Sequence, residues 1–345
     1  MRVFCYSIII PHKNIPNLLQ RCLDSIPQRN DLEVIVVDDD SDPNMVDFDS
    51  FPGKDRKDTT IIFDKSGKGA GRARNIGLEH AKGKWLLFAD ADDFYNYSIR
   101  DILNDHVNSE ADIIFFDSNS VESDTFLKGT RESYTHAKVK LYEINPKEAE
   151  FQLRYCHGVP WCKIVRHSMV KEHHVCFDET PINNDTTFAY SIGLVANTIK
   201  VDKRVGYCVT NREGSISVTP SDEKYLASIE VHTRKYRTLL DNGIDVLEWF
   251  ISIQMKKLKS EGKNDLYMKG LDILHKYGFN ESLIDKPYWA PPFVCEGQQA
   301  EDFLYSDFGT WMFGLYYRQN WKYKLLYRIL RLRHLAYNKC RICTY

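Results

Sequence analysis

Short, nearly unbroken apolar runs alternate with segments of helical spacing over the first third of the chain. FCYSIIIP (4–11), LEVIVV (32–37), TTIIF (59–63), KWLLFA (84–89) and ADIIFF (111–116) each read as a strand. A strand that is apolar on successive positions, rather than on every second one, is covered on both faces. Leu18, Leu19, Cys22, Leu23 and Ile26 recur every three or four residues, as one face of a helix does, and GRARNIGLEHA (71–81) reads as a helix entered through glycines. This alternation predicts an α/β fold with a doubly wound, mostly parallel, Rossmann-like sheet. From 118 to 145 the pattern is polar and irregular, which suggests strands with a mobile loop. A helix is expected near 147–155, another near 184–196, and strands near 198–210. Beyond Pro220 the spacing is helical (Tyr225, Ile229, His232, Tyr236, Leu239, Leu240) and stays so through 245–260 and 264–277. The expected organisation is therefore an α/β unit over 1–220 and a helical region over 221–345.

In doubly wound sheets, ligands bind beyond the carboxyl ends of the strands. LEVIVV is followed by Asp38, Asp39, Asp40, Ser41 and Asp42, and KWLLFA by Asp90, Ala91, Asp92 and Asp93. Carboxylates this close repel one another unless a cation lies among them. An Asp-x-Asp turn can offer oxygen ligands to Mg or Mn, which commonly completes its shell with substrate phosphates. The plainer reading is a polar loop that caps the next helix. Between the two clusters lies GKGAGRARN (67–75). Its glycines let the backbone approach a ligand, and the amides of the following helix favour anions. Lys68, Arg72 and Arg74 can add charge-assisted contacts to phosphate. The loop lacks the Lys-Ser/Thr pair of a nucleotide-triphosphate loop and the third glycine of a dinucleotide fingerprint.

Taken in order, SIIIPHKN, LLQRCLDSI, LEVIVVDDDSDP and GAGRARNIGLEHAKGKWLLFADADD resemble the family 2 glycosyltransferases of GT-A fold. The likeness extends more weakly through PWCKIVRHSMV, INNDTTF and NREGSIS, which resemble segments of bacterial surface-polysaccharide enzymes. The resemblance implies an inverting sugar transferase that uses a nucleotide diphosphate sugar, usually UDP-linked, and Mn2+ or Mg2+. It places Pro11 against the nucleoside, Asp39 on the base, and Asp38 in support of that contact or of the ribose. Gly69, Arg72 and Ala91 join the donor-binding set. Asp90 and Asp92 hold the metal, Arg212 meets the diphosphate, Trp161 and Lys163 line the acceptor side, and Asp185 is the catalytic base. Asp40 stands where the family usually has Gly or Asn, Asn184 where it has Glu, and Cys162 where it has Asn.

Charge refines this picture. Lys plus Arg number 46 and Asp plus Glu 48, a balance that speaks against a nucleic-acid partner. The balance hides an asymmetry. Residues 308–345 carry eight Lys or Arg and no acidic residue, which leaves 38 basic against 48 acidic residues over 1–307. The same tail holds Trp311, Trp321, Tyr316, Tyr317, Tyr323 and Tyr327. Such a segment suits either a helix docked on the body or a peripheral membrane contact. Nine cysteines, an odd and scattered set, point to a reducing compartment. The expected setting is cytoplasmic, peripheral on the inner face of the cell membrane, with a glycan or lipid-linked sugar as acceptor. Two alternatives compete: a non-catalytic nucleotide-sugar-binding partner with a degenerate transferase domain, and an NAD-dependent oxidoreductase.

Overall fold

In the computed structural model, Ile8 and Ile10 pack on one side of a sheet and Ile9 on the other, all three fully buried. The structure describes residues 3–129, 133–212, 221–246 and 249–284. Its strands are β1 (Tyr6–His12), β2 (Leu32–Asp39), β3 (Thr59–Asp64), β4 (Trp85–Phe88), β5 (Phe94–Tyr95), β6 (Ile113–Glu122), β7 (Lys163–Arg166) and β8 (Ile199–Asn211). They form one sheet in the order β3-β2-β1-β4-β7-β6-β8-β5. The helices are α1 (Pro16–Ser25), α2 (Ala70–His80), α3 (Ile99–His106), α4 (Ser133–Ile144), α5 (Pro146–Tyr155), α6 (His167–Glu172), α7 (Thr186–Val195), α8 (Asp222–Asp241), α9 (Trp249–Ser260) and α10 (Asn264–Lys276).

The β3-β2-β1-β4 half is parallel, as the apolar runs predict. The other half is mixed, but β6 and β8 pair parallel over their length, so the sheet as a whole is mostly parallel, as expected. β7 enters antiparallel between β4 and β6, and β5 pairs antiparallel with β8. β7 is four residues long, KIVR, with a charged residue at each end, so no periodicity announces it. Helix α4 replaces the irregular stretch expected before 145. Its buried side carries Thr135 and Lys138 beside Val139 and Leu141, so its apolar spacing is masked.

Even positions of β1 and β2 (Ile8, Ile10, Val34, Val36) face a core layer completed by Leu19, Cys22 and Leu23 of α1 and Ile102 and Leu103 of α3. Odd positions (Ile9, Ile35, Val37) face Ala73 and Ile76 of α2, Leu153 of α5, and Phe188 and Ile192 of α7. Burial of both faces is what the unbroken runs require. The C-terminal helices make a core of their own from Ile229, Ile251, Met255, Leu258, Leu266 and Leu274. They join the sheet layers through α8 and α7. Leu239 and Val246 pack with Tyr190, and Arg234 pairs with Asp178, which also accepts a 2.6 Å bond from Thr187 Oγ1. Among the described residues no helix is long and apolar enough to cross a membrane. The basic aromatic tail, 308–345, lies outside the described residues.

Candidate functional site

Because β1, β2 and β4 run parallel and side by side, the residues that follow them surround one cleft of about 610 Å3. Pro11, Asp39, Gly69 and Ala91 line it. Gly69 has φ 90°, a left-handed backbone that glycine adopts without cost, and its N–H donates to Asp39 Oδ1 at 2.9 Å. Lys13 Nζ donates to Asp39 Oδ2 at 3.2 Å. One carboxylate thus ties the glycine loop and the β1 turn together at the cleft edge.

Asp38 turns the other way, as neighbours on a strand must. It is fully buried and is not part of the cleft lining. Ile15 N–H donates to His12 Nε2, which leaves the proton on Nδ1 to be donated to Asp38 at 2.8 Å. Ser41 adds its hydroxyl and its N–H at 2.5 and 3.0 Å. Burial works to raise the Asp38 pKa, but these donors outweigh it and hold the carboxyl below its usual value. The structure therefore gives Asp38 the work of fixing the turns after β1 and β2. Asp40 has φ 54°, which is why Gly or Asn suits this position, and its half-exposed carboxylate faces Lys65.

The crowded carboxylates after β4 separate. Asp90 Oδ1 accepts from Arg74 at 2.6 Å, and Asp92 Oδ2 accepts from Arg212 at 2.7 Å. Asp93 is buried behind them and accepts from Tyr207 Oη at 3.0 Å and Thr210 N at 2.7 Å. Burial, then Asp92 and Asp90, push the Asp93 pKa well above the ordinary range. Two arginines and one raised pKa thus relieve the repulsion that the sequence implies. The other oxygens of Asp90 and Asp92 have no hydrogen bond among the described residues and belong to residues lining the cleft. Two such oxygens fit a hard divalent cation that takes its remaining ligands from phosphate and water.

The turn into α7 also lines the cleft. Asn183 has φ 56°, and Asn184 Oδ1 accepts from Arg74 at 2.7 Å. Asp185 is the N-cap residue of α7, yet its side chain makes no capping bond; it lines the cleft. Burial raises its pKa, Arg74 draws it down and Asp90 pushes it up again, with a net upward shift. Arg74, 5% exposed, therefore bridges the β4 carboxylate and the Asp185 turn.

Of the two arginines that the resemblance assigns to the donor, Arg212 lines the cleft and Arg72 lies outside its lining. Arg72 faces Glu179 at 3.7 Å and Asp64 at 4.0 Å. Four helical positions separate Ala70 from Arg74, so they share the cleft-facing side of α2, while Arg72 points elsewhere. Trp161 and Lys163 are also away from the cleft surface. Trp161 stacks on Tyr207 with ring centres 5.5 Å apart. Lys163, 1% exposed, donates to His157 Nδ1 at 2.8 Å, to His157 O at 3.0 Å and to Val159 O. Burial pulls its pKa down to about 7. Cys162 between them has φ 60°, a conformation Asn adopts more easily.

The far wall comes from the C-terminal helices. Tyr225 and Ser228 of α8 and Phe250, Gln254 and Lys257 of α9 close the cleft opposite the strand ends. Spacing alone did not reveal them, because the same helices also carry a full apolar stripe.

The profile described as Glycosyl transferase family 2 matches residues 7–173. Glycosyltransferase GlyG of Streptococcus pneumoniae is 23% identical over 250 residues, which cover 70% of this chain and 82% of GlyG. The poly(ribitol-phosphate) beta-N-acetylglucosaminyltransferase TarS of Staphylococcus aureus is 26% identical over 229 residues, covering 63% of this chain but 38% of TarS. The crystal structure of S. aureus TarS 1–349 in complex with UDP-GlcNAc superposes with a TM-score of 0.53 at 20% identity, over 80% of this chain and 74% of that one. Profile, relatives and the strand-end arrangement agree: residues 7–173 carry a family 2 glycosyltransferase domain, and the fold is GT-A.

Proposed function

We propose that the chain moves a sugar, with inversion, from a UDP-sugar to a hydroxyl of a glycan or lipid-linked acceptor. The observation that carries this reading is Asp185. Its uncapped carboxylate stands in the same cleft as Asp39, Asp90 and Asp92, in the turn that Arg74 ties to Asp90. A carboxylate placed there takes the proton from an attacking hydroxyl, so one displacement suffices and no covalent nucleophile is needed. The raised pKa makes Asp185 a stronger base than a free aspartate. Pro11, Asp39 and the Gly69 loop form the surface for the nucleoside, and Arg212 and the amides at the start of α2 meet the diphosphate. Asp90 and Asp92 would hold Mn2+ or Mg2+, which neutralises charge gathering on the leaving diphosphate. TarS, a relative whose structure was solved with UDP-GlcNAc, supports a UDP-linked donor.

The glycosyltransferase domain over 7–173 speaks against the oxidoreductase alternative. The non-catalytic alternative is separated by one experiment, a screen of UDP-, GDP- and TDP-sugars for hydrolysis with manganese and with a chelator. Metal-dependent hydrolysis of a UDP-sugar is expected, with loss of turnover in Asp185→Asn. Binding without turnover in the wild type would favour the partner reading. Residues 308–345 are proposed to hold the enzyme at the inner face of the membrane, close to a lipid-linked acceptor. Deleting them should release the protein from anionic vesicles in a flotation assay.

A further inference from the structure

We infer that the α8–α9 wall is the acceptor subsite and that it takes a glycan chain bearing negative groups, phosphate or carboxylate. This rests on the reading of the strand-end side as the donor half. The carboxylates lining the cleft, Asp39, Asp90, Asp92, Asp93 and Asp185, all come from the sheet unit. Among the described residues, the helical wall contributes Lys224 and Lys257 to that lining and no carboxylate. Lys257 is half exposed, and its ion pair with Glu261 is long, at 3.9 Å. A pair of that kind is worth little and is readily exchanged for an anion.

The wall is built for a ligand rather than for solvent. On α9, Phe250, Gln254 and Lys257 recur at helical spacing toward the cleft, while Ile251, Met255 and Leu258, each fully buried, face the helical core. The helix therefore has two committed faces. Ser228 is 3% exposed, and among the described residues its Oγ has no hydrogen-bond partner; Gln254 Oε1 is buried without one as well. Buried polar atoms are paired in the great majority of cases, and two orphans in one cleft wall suit the hydroxyls of a sugar. Two aromatic rings stand beside them. Phe250 stacks on His232 with centres 4.3 Å apart, and Tyr225 lies 5.2 Å from Lys257 Nζ. The Arg234–Asp178–Thr187 contacts fix α8 to the first turn of α7, next to Asp185. An acceptor lying on this wall therefore presents its hydroxyl to that carboxylate. All of these wall residues lie beyond the 7–173 segment that the family profile covers.

The test is calorimetric titration of the full chain with poly(ribitol phosphate), oligogalacturonate and the neutral maltohexaose, with UDP titrated separately. At least one anionic polymer is expected to bind about tenfold more tightly than maltohexaose, with affinity that falls as salt rises. Reversing the charge in Lys224→Glu/Lys257→Glu should weaken that polymer about tenfold and change UDP affinity less than about twofold. Which polymer binds decides between phosphate and carboxylate. Equal or tighter binding of maltohexaose, no binding of either anionic polymer, or indifference to the charge reversal would overturn the inference. Failure of UDP to bind would instead sink the donor reading, while the polymer titrations would still decide this one.

Discussion

At the strand ends Asp39, Asp90 and Asp92 each already have a cationic partner, whereas on the helical side Ser228 Oγ and Gln254 Oε1 are buried with no partner among the described residues. Lys13, Arg74 and Arg212 hold Asp39, Asp90 and Asp92 in place before any ligand arrives. Such preorganisation lowers the cost of ordering a ligand and suits a compact, invariant group such as a nucleoside diphosphate. The helical wall leaves hydrogen-bonding capacity open, which suits a longer and more variable chain. The difference also separates the residues by kind of effect. Changes at the strand ends should alter chemistry or folding, and changes on α8–α9 should alter recognition.

The strongest break in this comparison is Asp185→Asn. It should cut turnover by about 10²–10⁴-fold while UDP affinity holds, measured by donor hydrolysis and by titration. Next comes Gly71→Ala, where an added Cβ would stand 1.8 Å from Asp178 O, a backbone atom that cannot step aside. A cost of about 3 kcal/mol is expected in chemical denaturation.

Lys163→Met probes the buried floor. With its pKa drawn down to about 7 from 10.5, Lys163 is protonated in both folded and unfolded chains below pH 7 and neutral in both above 10.5. Between those values the unfolded chain binds the extra proton, so wild-type stability should rise with pH relative to the variant. Parallel pH profiles of both would show no divergence if the residue were simply solvated. Arg74→Met removes a cation that lowers the Asp185 pKa, so the acid limb of the pH–rate profile should move upward. Arg72→Ala, two residues away but turned toward Glu179, should change UDP affinity by less than about twofold.

Arg72 and Arg74 show where reading the sequence stops. The glycine loop, the Asp39 turn and the Asp90–Asp92 turn were legible because each is a contiguous run at a strand end, and parallel strands bring such ends together. Which arginine enters the cleft depends on the rotation of α2 about its axis, set by its packing on β1 and β2. Asp38 and Asp39 were both candidates, although alternation along a strand allows only one of them to face the cleft. Trp161 and Lys163 belong to a segment whose strand, β7, inserts antiparallel between β4 and β6, and that reversal carries them beneath the surface. The α9 stripe was hidden because its cleft-facing residues interleave with a complete apolar stripe, so periodicity reports only the core.

Asp178 ties these parts into one joint. Its N–H donates to Asn184 O at 3.0 Å, its carbonyl fills the space over Gly71, and its carboxylate takes Thr187 and Arg234. A chimera that borrowed its C-terminal helices from another transferase would therefore have to bring an equivalent of Arg234 along. Without it the graft would lose its clasp on α7, and the transplanted surface would no longer be aligned with the reacting hydroxyl. The natural cut for such engineering lies at this joint rather than at the start of α8.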